Sequence, residues 1–272
     1  VGWLIYRKGS NAFGAGNRIS YLIWTGWAIK LFLLQLINLF FPINFYISLI
    51  IFIPGFLVGI YIIFFEEKVK SFLDKYKVDL LLFVCTAFLI AVFALKNPTE
   101  YDSGLYHFNS IRWLNESPVV LGLGNLHGRL AFNQSFFIFV SYLNHFPNFN
   151  HGYVLGNSFL LLLLLTACLR AGVDLATTVK EKGEIQIHKL AGFLLIPPLL
   201  YIAFYYSISS PDPDITTPIL QLFLFLIFIQ IFTEKTTPDI FFTRISYLLI
   251  LSVTAITVKL SSLFFVFSIC VL

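Results

Sequence analysis

Residues 153–172 read YVLGNSFLLLLLLTACLRAG, an almost uninterrupted apolar run with a single charged residue, Arg170. A helix needs about 20 mostly apolar residues to cross the hydrocarbon core of a bilayer, and this run has that length. Six similar apolar stretches lie elsewhere in the chain. Together the seven predict an all-α, polytopic transmembrane helical bundle of about seven spans. The other six lie at 19–41, 43–65, 78–95, 190–208, 215–232 and 244–260.

The composition of the whole chain favours the same fold class. Hydrophobic residues make up 58% of the 272 residues, whereas charged residues make up only 12%. Soluble globular proteins carry about 25% charged residues, so this chain cannot cover a surface that faces water. We expect membrane lipids as its surroundings. Its Lys and Arg residues are scattered among apolar segments and form no basic face, which argues against a nucleic-acid partner.

The distribution of Lys and Arg between the spans predicts the orientation of the chain. The connections at 66–77 and 170–189 are rich in these residues, whereas the long loop 97–152 is poor in them and 209–214 has none. Positively charged short loops stay in the cytoplasm. We therefore expect a cytoplasmic N-terminus, with loops 97–152 and 209–214 on the outer face.

The order of the spans also predicts the domain organisation. We expect residues 1–77 to form an N-terminal transmembrane hairpin with a cytoplasmic flank. Residues 78–272 are expected to form the main transmembrane region, which carries the outer loop. The sequence contains no Met and stops within the apolar run 263–272, so we expect it to be a fragment of a longer protein.

The outer loop 97–152 is long, but its composition predicts structure. Apolar residues recur every three positions between 104 and 116, which predicts a short amphipathic helix at the membrane interface. The apolar run 136–143 is too short to span a bilayer, and it suits a re-entrant or interfacial helix. The loop is therefore expected to carry short helices over the outer face of the bundle.

Polar residues that could carry chemistry concentrate in the two outer loops. The first loop opens with NPTEYDSGLYH at 97–107, and the second reads SSPDPD at 209–214. Asp is a common residue at helix N-termini, so a capping role is the alternative for Asp102 and Asp214, as interface anchoring is for Arg129. The candidate site residues of these loops are Glu100, Asp102, Tyr106, His107, Arg129, Asp212 and Asp214.

Lys259 lies in an apolar segment that predicts a helix. A Lys at the centre of a membrane helix costs about 2.5–3.5 kcal/mol, so such a residue is by default a functional candidate. Counting along the helix from Arg244 places Lys259 about 22 Å further on, in the outer leaflet near the acidic loops. A Lys that snorkels to the outer interface is the alternative, and we interpret Lys30 of the first span in that way.

A carboxylate, a second acidic loop and a cation on one face of the membrane suit a group transfer. The cation could hold the phosphate of a lipid-linked donor while a carboxylate deprotonates an acceptor hydroxyl. Electrostatic stabilisation of the leaving phosphate would contribute more. No cofactor is required by this pattern. A divalent metal held by His107, His127 and the aspartates is an alternative, although the sequence has no His-x3-His pair and no Cys cluster.

The order of these motifs resembles the GT-C superfamily of integral-membrane glycosyltransferases, particularly the protein O-mannosyltransferases and lipid A aminoarabinose transferases. In this resemblance Asp102 matches the loop acid proposed as catalytic base. Asp212 or Asp214 matches the Pro-Asp of the later loop. Lys259 matches the Lys that meets the donor phosphate. Outside the resemblance, we expect Arg129, a planar and always charged donor, to bind phosphate as well, with interface anchoring as the alternative. The expected supporting residues are Asp212, Asp214, His107, Glu100 and Tyr106.

The resemblance implies transfer of a sugar from a polyprenyl-phosphate donor to a lipid, glycan or protein acceptor. It also implies a bacterial cytoplasmic (inner) membrane with the site on the outer face. It covers roughly 80–265, and two spans precede the span that leads into the long loop, where the superfamily usually has a single one. The stretches 101–107, 111–116 and 122–130 also resemble a family of uncharacterised bacterial membrane proteins.

Two other function classes are open. The first is a transporter or flippase for a lipid or polyol. The pair Pro197-Pro198, which breaks one helix near its middle, is consistent with this class. Transporters place ionisable residues near the bilayer midplane, often within repeated halves, whereas these acids lie at the outer boundary. The second is a surface-polysaccharide polymerase or ligase, whose activity would be expected to depend on arginines in the outer loops.

Overall fold

The computed structural model describes residues 18–61, 64, 69–131, 134–145 and 150–271. Over these residues the chain is helical and forms no β-strand, which confirms the predicted all-α fold. The predicted cytoplasmic flank at 1–17 lies outside the described residues. The α-helices are α1 (Arg18–Asn38), α2 (Phe45–Tyr61), α3 (Val69–Ala94), α4 (Phe108–Glu116), α5 (Leu123–Leu126), α6 (Phe136–His145), α7 (Gly152–Lys180), α8 (Ile187–Leu194), α9 (Ile196–Tyr205), α10 (Pro213–Thr233), α11 (Pro238–Val258) and α12 (Ser262–Val271).

Within the described part of the chain, six helical segments are long and apolar enough to cross a membrane. This finding confirms an integral, polytopic membrane protein. Five of the segments belong to α1, α3, α7, α10 and α11, and the sixth joins α8 and α9 across Leu195. The remaining predicted span, 43–65, forms α2, which is only 17 residues long and contains Pro54. Residues 62, 63 and 65 of that span are not described.

Helix α10 lies at the centre of the bundle. It packs against α7, α8, α11 and α12, and Ile219 and Ile227 are fully buried there. Helix α1 also reaches α10, because Trp24 stacks on Phe223 with 4.5 Å between the ring centroids. The first helix of the predicted N-terminal hairpin therefore contacts the main transmembrane region directly.

Helix α6 is the predicted short apolar helix of the outer loop, and other helices enclose it. It packs against α1, α2, α4 and α7, with Phe136 and Val140 fully buried. The contact with α7 is close at Gly156, where a Cβ atom would lie 3.0 Å from both of those side chains. Burial against protein explains how an apolar helix too short to span a bilayer is kept from water.

The loops that we expect on the outer face meet at one end of the bundle, which we call the loop end. The backbone N–H of Val119 donates to Asn38 O at the end of α1 (2.9 Å). The N–H of Glu100 donates to Ser210 Oγ (3.4 Å), which joins the two acidic loops. The N–H of Ser135 donates to Thr257 O near the end of α11 (2.9 Å).

Two lysines depart from their predicted positions. The expectation that Lys259 lies within a continuous helix is wrong, because α11 ends at Val258 and Lys259 has an extended backbone. The snorkelling interpretation of Lys30 is also wrong. Its Nζ lies 3.5 Å from the Tyr142 hydroxyl and 4.9 Å from the centre of that ring. Both ammonium groups therefore have partners within the protein, which sequence hydropathy alone does not reveal.

The opposite end of the bundle contains a buried ion pair. Arg244 Nη2 of α11 lies 2.6 Å from Glu234 Oε2, with side-chain exposures of 5% and 19%. His188 Nδ1 of α8 lies 3.1 Å from Glu234 Oε1, although the two are not aligned for a hydrogen bond. Glu234 therefore joins α8 and α11 at the end of α10.

We expect Glu234→Gln to destabilise the protein by about 3–5 kcal/mol, because it removes the carboxylate that faces the buried Arg244 charge. Chemical unfolding in detergent micelles measures the change. The control is Glu116→Gln, since the Arg112–Glu116 pair is exposed, at 76% and 60%, and contributes little. Equal stability of the two variants would show that Glu234 does not join these helices.

Candidate functional site

Two ion pairs lie at the loop end of the bundle, and each joins a predicted cation to a predicted acid. Arg129, in the helical turn Gly128–Ala131, pairs with Asp102, and both side chains are about 40% exposed. Lys259 pairs with Asp214 in the first turn of α10, with side-chain exposures of 28% and 64%. The end of α11 at Val258 places the ammonium group at this surface.

Asp212 caps α10, so the alternative that Asp102 and Asp214 cap helices with their side chains is wrong. Its side chain accepts a hydrogen bond from the N–H of Asp214 (2.9 Å), so Asp214 itself is not the cap. Asp102 precedes the π-helical turn Ser103–His107 and makes no side-chain capping bond. The Asp102 and Asp214 carboxylates therefore pair with cations instead.

Asn157 holds the second acidic loop, and sequence reasoning missed it. This residue of α7 is fully buried, and its Nδ2 donates to Ser210 O (2.8 Å) and Asp212 O (3.0 Å). Its Oδ1 accepts from the Thr216 hydroxyl of α10. The signal was available, because Asn157 is a polar residue within the apolar run 153–172. Its partners could not be identified from the sequence.

The surroundings of Asp212 raise the pKa of its carboxyl to about 6. Burial is the largest cause, and the negative charges of Glu100 and Asp102 act in the same direction, whereas Lys259 opposes them. Glu100 is held nearby because its backbone N–H donates to Ser210 Oγ (3.4 Å). The Asp212 carboxyl therefore keeps its proton to a higher pH than an ordinary aspartate does.

His107 is neutral at physiological pH. It is 1% exposed, and burial lowers the pKa of its imidazole to about 4, with Lys259 and Arg129 acting in the same direction against Asp102. Its Nδ1 lies 3.3 Å from Ser103 Oγ. The neutral ring can support neighbouring groups but does not add a positive charge for an anion.

Tyr106 contacts both the first ion pair and the outer loop. The guanidinium carbon of Arg129 lies 5.5 Å from the centre of its ring, and the Gln134 side chain hydrogen-bonds with its hydroxyl. Burial raises the pKa of that hydroxyl, and the charges of Asp102 and Asp212 raise it further. The structure thus brings the sequence-predicted site residues into one electrostatically connected group, which we call the loop-end cluster. Its members are Glu100, Asp102, Tyr106, His107, Arg129, Asp212, Asp214 and Lys259.

The described residues contain no group of three or more His, Cys, Asp or Glu side chains that could hold a metal ion. His127, which the metal alternative requires, instead accepts a hydrogen bond at Nδ1 from the backbone N–H of Arg129 (3.3 Å). The described part of the chain therefore lacks the ligand set for the alternative built on His107 and His127.

A protein-family model matches residues 3–272, and its description is a domain of unknown function, DUF8201. The chain belongs to the DUF8201 family. No curated protein and no solved structure matches the chain.

The loop-end cluster of this DUF8201 protein holds more acids than cations. Lys259 and Arg129 face the carboxylates of Glu100, Asp102, Asp212 and Asp214. Each cation is already paired with one of these acids. An anionic ligand would therefore bind by exchange, because it must replace a carboxylate beside Lys259 or Arg129. Protonation of Asp212 lowers the negative charge that such a ligand meets.

Asp212→Asn should stabilise the DUF8201 protein at pH 7, by about 2 °C or more in apparent melting temperature. The pKa of Asp212 is raised from 3.8 to about 6 in the folded protein, so the folded state holds the proton more tightly. The Asp212 carboxyl therefore reduces the stability of the folded protein as pH rises from 3.8 through about 6. Asn caps helices as well as Asp does, so α10 keeps its cap.

Thermal unfolding at pH 7 and pH 4 measures the effect, which we expect to vanish at the lower pH. The control is Asp239→Asn, since Asp239 is an exposed acid in the first turn of α11. If Asp212→Asn instead destabilised the protein at pH 7, the folded state would not disfavour the charged form of the Asp212 carboxyl.

Proposed function

We propose that this DUF8201 protein is a membrane glycosyltransferase of the GT-C kind. It transfers a sugar from a polyprenyl-phosphate donor to an acceptor hydroxyl on the outer face of a bacterial cytoplasmic membrane. The observation that carries the proposal is the position of Lys259. Its ammonium lies at a helix break between two apolar helices, paired with Asp214 and close to Asp212. A cation at this point can meet the phosphate of a lipid that lies in the bilayer.

The proposed reaction forms one glycosidic bond and breaks one sugar–phosphate bond. Asp102 takes the proton of the acceptor hydroxyl as its oxygen attacks the anomeric carbon. The bond from that carbon to the phosphate oxygen breaks, and its electron pair leaves with the polyprenyl phosphate. Lys259 and Arg129 stabilise the negative charge that develops there. The products are the glycosylated acceptor and the polyprenyl phosphate.

Exchange of ion-pair partners accompanies donor binding in this proposal. The donor phosphate replaces Asp214 at Lys259, and its arrival beside Arg129 releases Asp102 to meet the acceptor hydroxyl. Asp212 is the second carboxyl suited to proton transfer, since its pKa lies at about 6. Tyr106, His107 and Glu100 support the site as neighbours of these charges. The acceptor class is a lipid, glycan or protein.

The Lys and Arg distribution supports an outer location for the site. Loops 97–152 and 209–214 are poor in these residues and carry the acids of the loop-end cluster. Their contacts at one end of the bundle agree with a single membrane face. The positive-inside rule then supports an extracytoplasmic location for that end.

Reconstituted protein and a set of radiolabelled polyprenyl-phosphate sugars test the proposal. We expect labelled sugar to appear in an alkali-stable acceptor fraction, with release of an equal amount of polyprenyl phosphate. A transporter would move the intact donor across the membrane of sealed vesicles and form no new bond. That result would contradict the glycosyltransferase and favour the transporter.

A further inference from the structure

A cavity of about 400 Å³ lies beside the loop-end cluster. The last residue of α1, helix α4, the segment 118–124, the turn Gly128–Ala131 and the start of α6 line it. Its volume is within the range of about 300–1,000 Å³ that ligand pockets usually have. None of the cluster residues lines it, so it is a separate feature of the outer loop.

The described residues that line the cavity are mainly apolar, and none is charged. An unpaired ionic group would lose its hydration in such a cavity and gain no partner. The walls therefore favour the hydrocarbon part of a ligand over a phosphate or an ammonium group. The largest apolar side chains are Trp113, Leu114, Leu130, Phe137 and Ile138.

Each of the four polar side chains of the cavity makes a hydrogen bond within the protein, but two acceptor atoms, Asn38 Oδ1 and Gln134 Oε1, have no partner among the described residues. Two acceptors are too few for the several hydroxyl groups of a sugar ring, although they can meet a single hydroxyl. Further buried polar groups of a ligand would remain unsatisfied, which is costly. The bonds join Ser110 Oγ to Tyr106 O (2.9 Å), Ser135 Oγ to Thr257 Oγ1 (3.1 Å), Asn38 Nδ2 to Phe41 O (3.3 Å) and the Gln134 side chain to the Tyr106 hydroxyl.

An exposed apolar segment lies at the edge of the cavity. Val119, Val120 and Leu121 are 47%, 37% and 92% exposed, and all three line it. The N–H of Val119 is bonded to Asn38 O at the end of the first membrane-spanning helix. Apolar side chains at this level can contact lipid, so a hydrocarbon chain can enter from the bilayer.

The cavity adjoins the side of the cluster that holds the proposed base. Leu130 of its wall follows Arg129, which pairs with Asp102. Ser110 and Gln134 of its wall bond with Tyr106, over which Arg129 lies. A molecule whose chain fills the cavity can therefore place a polar end near Asp102.

From these contacts we infer that the cavity binds the hydrocarbon chain of a lipid acceptor, whose hydroxyl reaches Asp102. The inference rests on the proposed function and narrows its acceptor class to a lipid. The donor then lies on the other side of the cluster, with its phosphate at Lys259. Two lipids are held at once, and their polar ends meet between the two ion pairs.

Quenching of Trp113 fluorescence by dibromo-octadecanol tests the inference with the full chain in detergent micelles. Bromine quenches an indole that it touches, and Trp113 lines the cavity. We expect the quenching to saturate as the probe is added, and we expect the saturable part to be lost in Trp113→Phe.

Ala131→Phe and Ile138→Phe narrow the cavity and should weaken binding of the probe by about tenfold or more. The matched control is Leu126→Phe, since Leu126 is 72% exposed and does not line the cavity.

Two results would overturn the inference. The first is quenching that does not saturate or that both narrowing variants leave unchanged, because the probe would then be bound elsewhere. The second is competition by farnesyl phosphate, because the cavity would then hold the donor chain. Binding of both molecules together supports separate acceptor and donor sites. These binding measurements require no sugar transfer, so saturable quenching without transfer would refute the glycosyltransferase and leave a lipid cavity.

Discussion

Lys259→Gln should lower sugar transfer by about 10²–10³-fold, the usual effect of removing one group that stabilises developing negative charge. Lys259 is the cation at the break between α11 and α12, and its side chain is only 28% exposed. The neutral amide cannot balance the charge of the leaving phosphate. Transfer from a labelled polyprenyl-phosphate sugar and binding of farnesyl phosphate measure the two consequences, and both should decrease.

The opposite change is expected from Asp214→Asn. This substitution removes the carboxylate that occupies Lys259, so farnesyl phosphate should bind more tightly than to the wild type. Lys96→Gln is the matched control, because Lys96 is an exposed cation near the loop end whose Nζ lies 4.6 Å from the Phe93 ring centroid. Equal loss of binding in Lys96→Gln and Lys259→Gln would indicate a general charge effect and remove Lys259 from the mechanism.

Asp102→Asn should lower transfer by about 10²–10⁴-fold, the contribution of a positioned general base. The substitution keeps the shape of the side chain and an oxygen that can still accept from Arg129. Insertion and abundance should therefore stay unchanged, and so should dibromo-octadecanol binding in the neighbouring cavity. Initial rates at saturating donor measure the chemical step, and the amount of membrane-inserted protein is measured in parallel.

Glu116→Gln is the matched control for Asp102→Asn. Glu116 is also a carboxylate of the outer loop that pairs with an arginine, at 2.8 Å from Arg112 Nε. It lies on the exposed face of α4 and outside the loop-end cluster, so full activity is expected. Wild-type rates in Asp102→Asn would assign the base to another carboxylate, with Asp212 as the next residue to substitute.

Local sequence patterns predict most of the bundle, because hydropathy acts over a single helix. A run such as 153–172 must be buried in lipid or protein wherever it lies, and it forms part of α7. The short helices of the outer loop follow from the same reasoning. The region 104–116 becomes a π-helical turn followed by α4, and 136–143 becomes part of α6.

Contacts between distant segments set the details that the sequence does not reveal. The end of α11 at Val258 places Lys259 beside Asp214, which lies 45 residues earlier in the numbering. Lys30 meets Tyr142 across a separation of 112 residues. No local pattern encodes either pairing. The acids and cations of the cluster could be named from the loops, but which acid pairs with which cation depends on the packing of the helices.

The two bonds from Asn157 to the backbone of the 209–214 loop make the geometry of the loop-end cluster depend on the tilt of a helix in the bilayer. Asn157 belongs to α7, whereas the loop leads into α10. Transmembrane helices adjust to a change in bilayer thickness by changing their tilt. A thinner or thicker membrane that tilts α7 against α10 would move Asp212 relative to Asp102. If the proposed transfer takes place at this site, lipid composition controls its rate, and the protein works best in a membrane whose thickness its helices match.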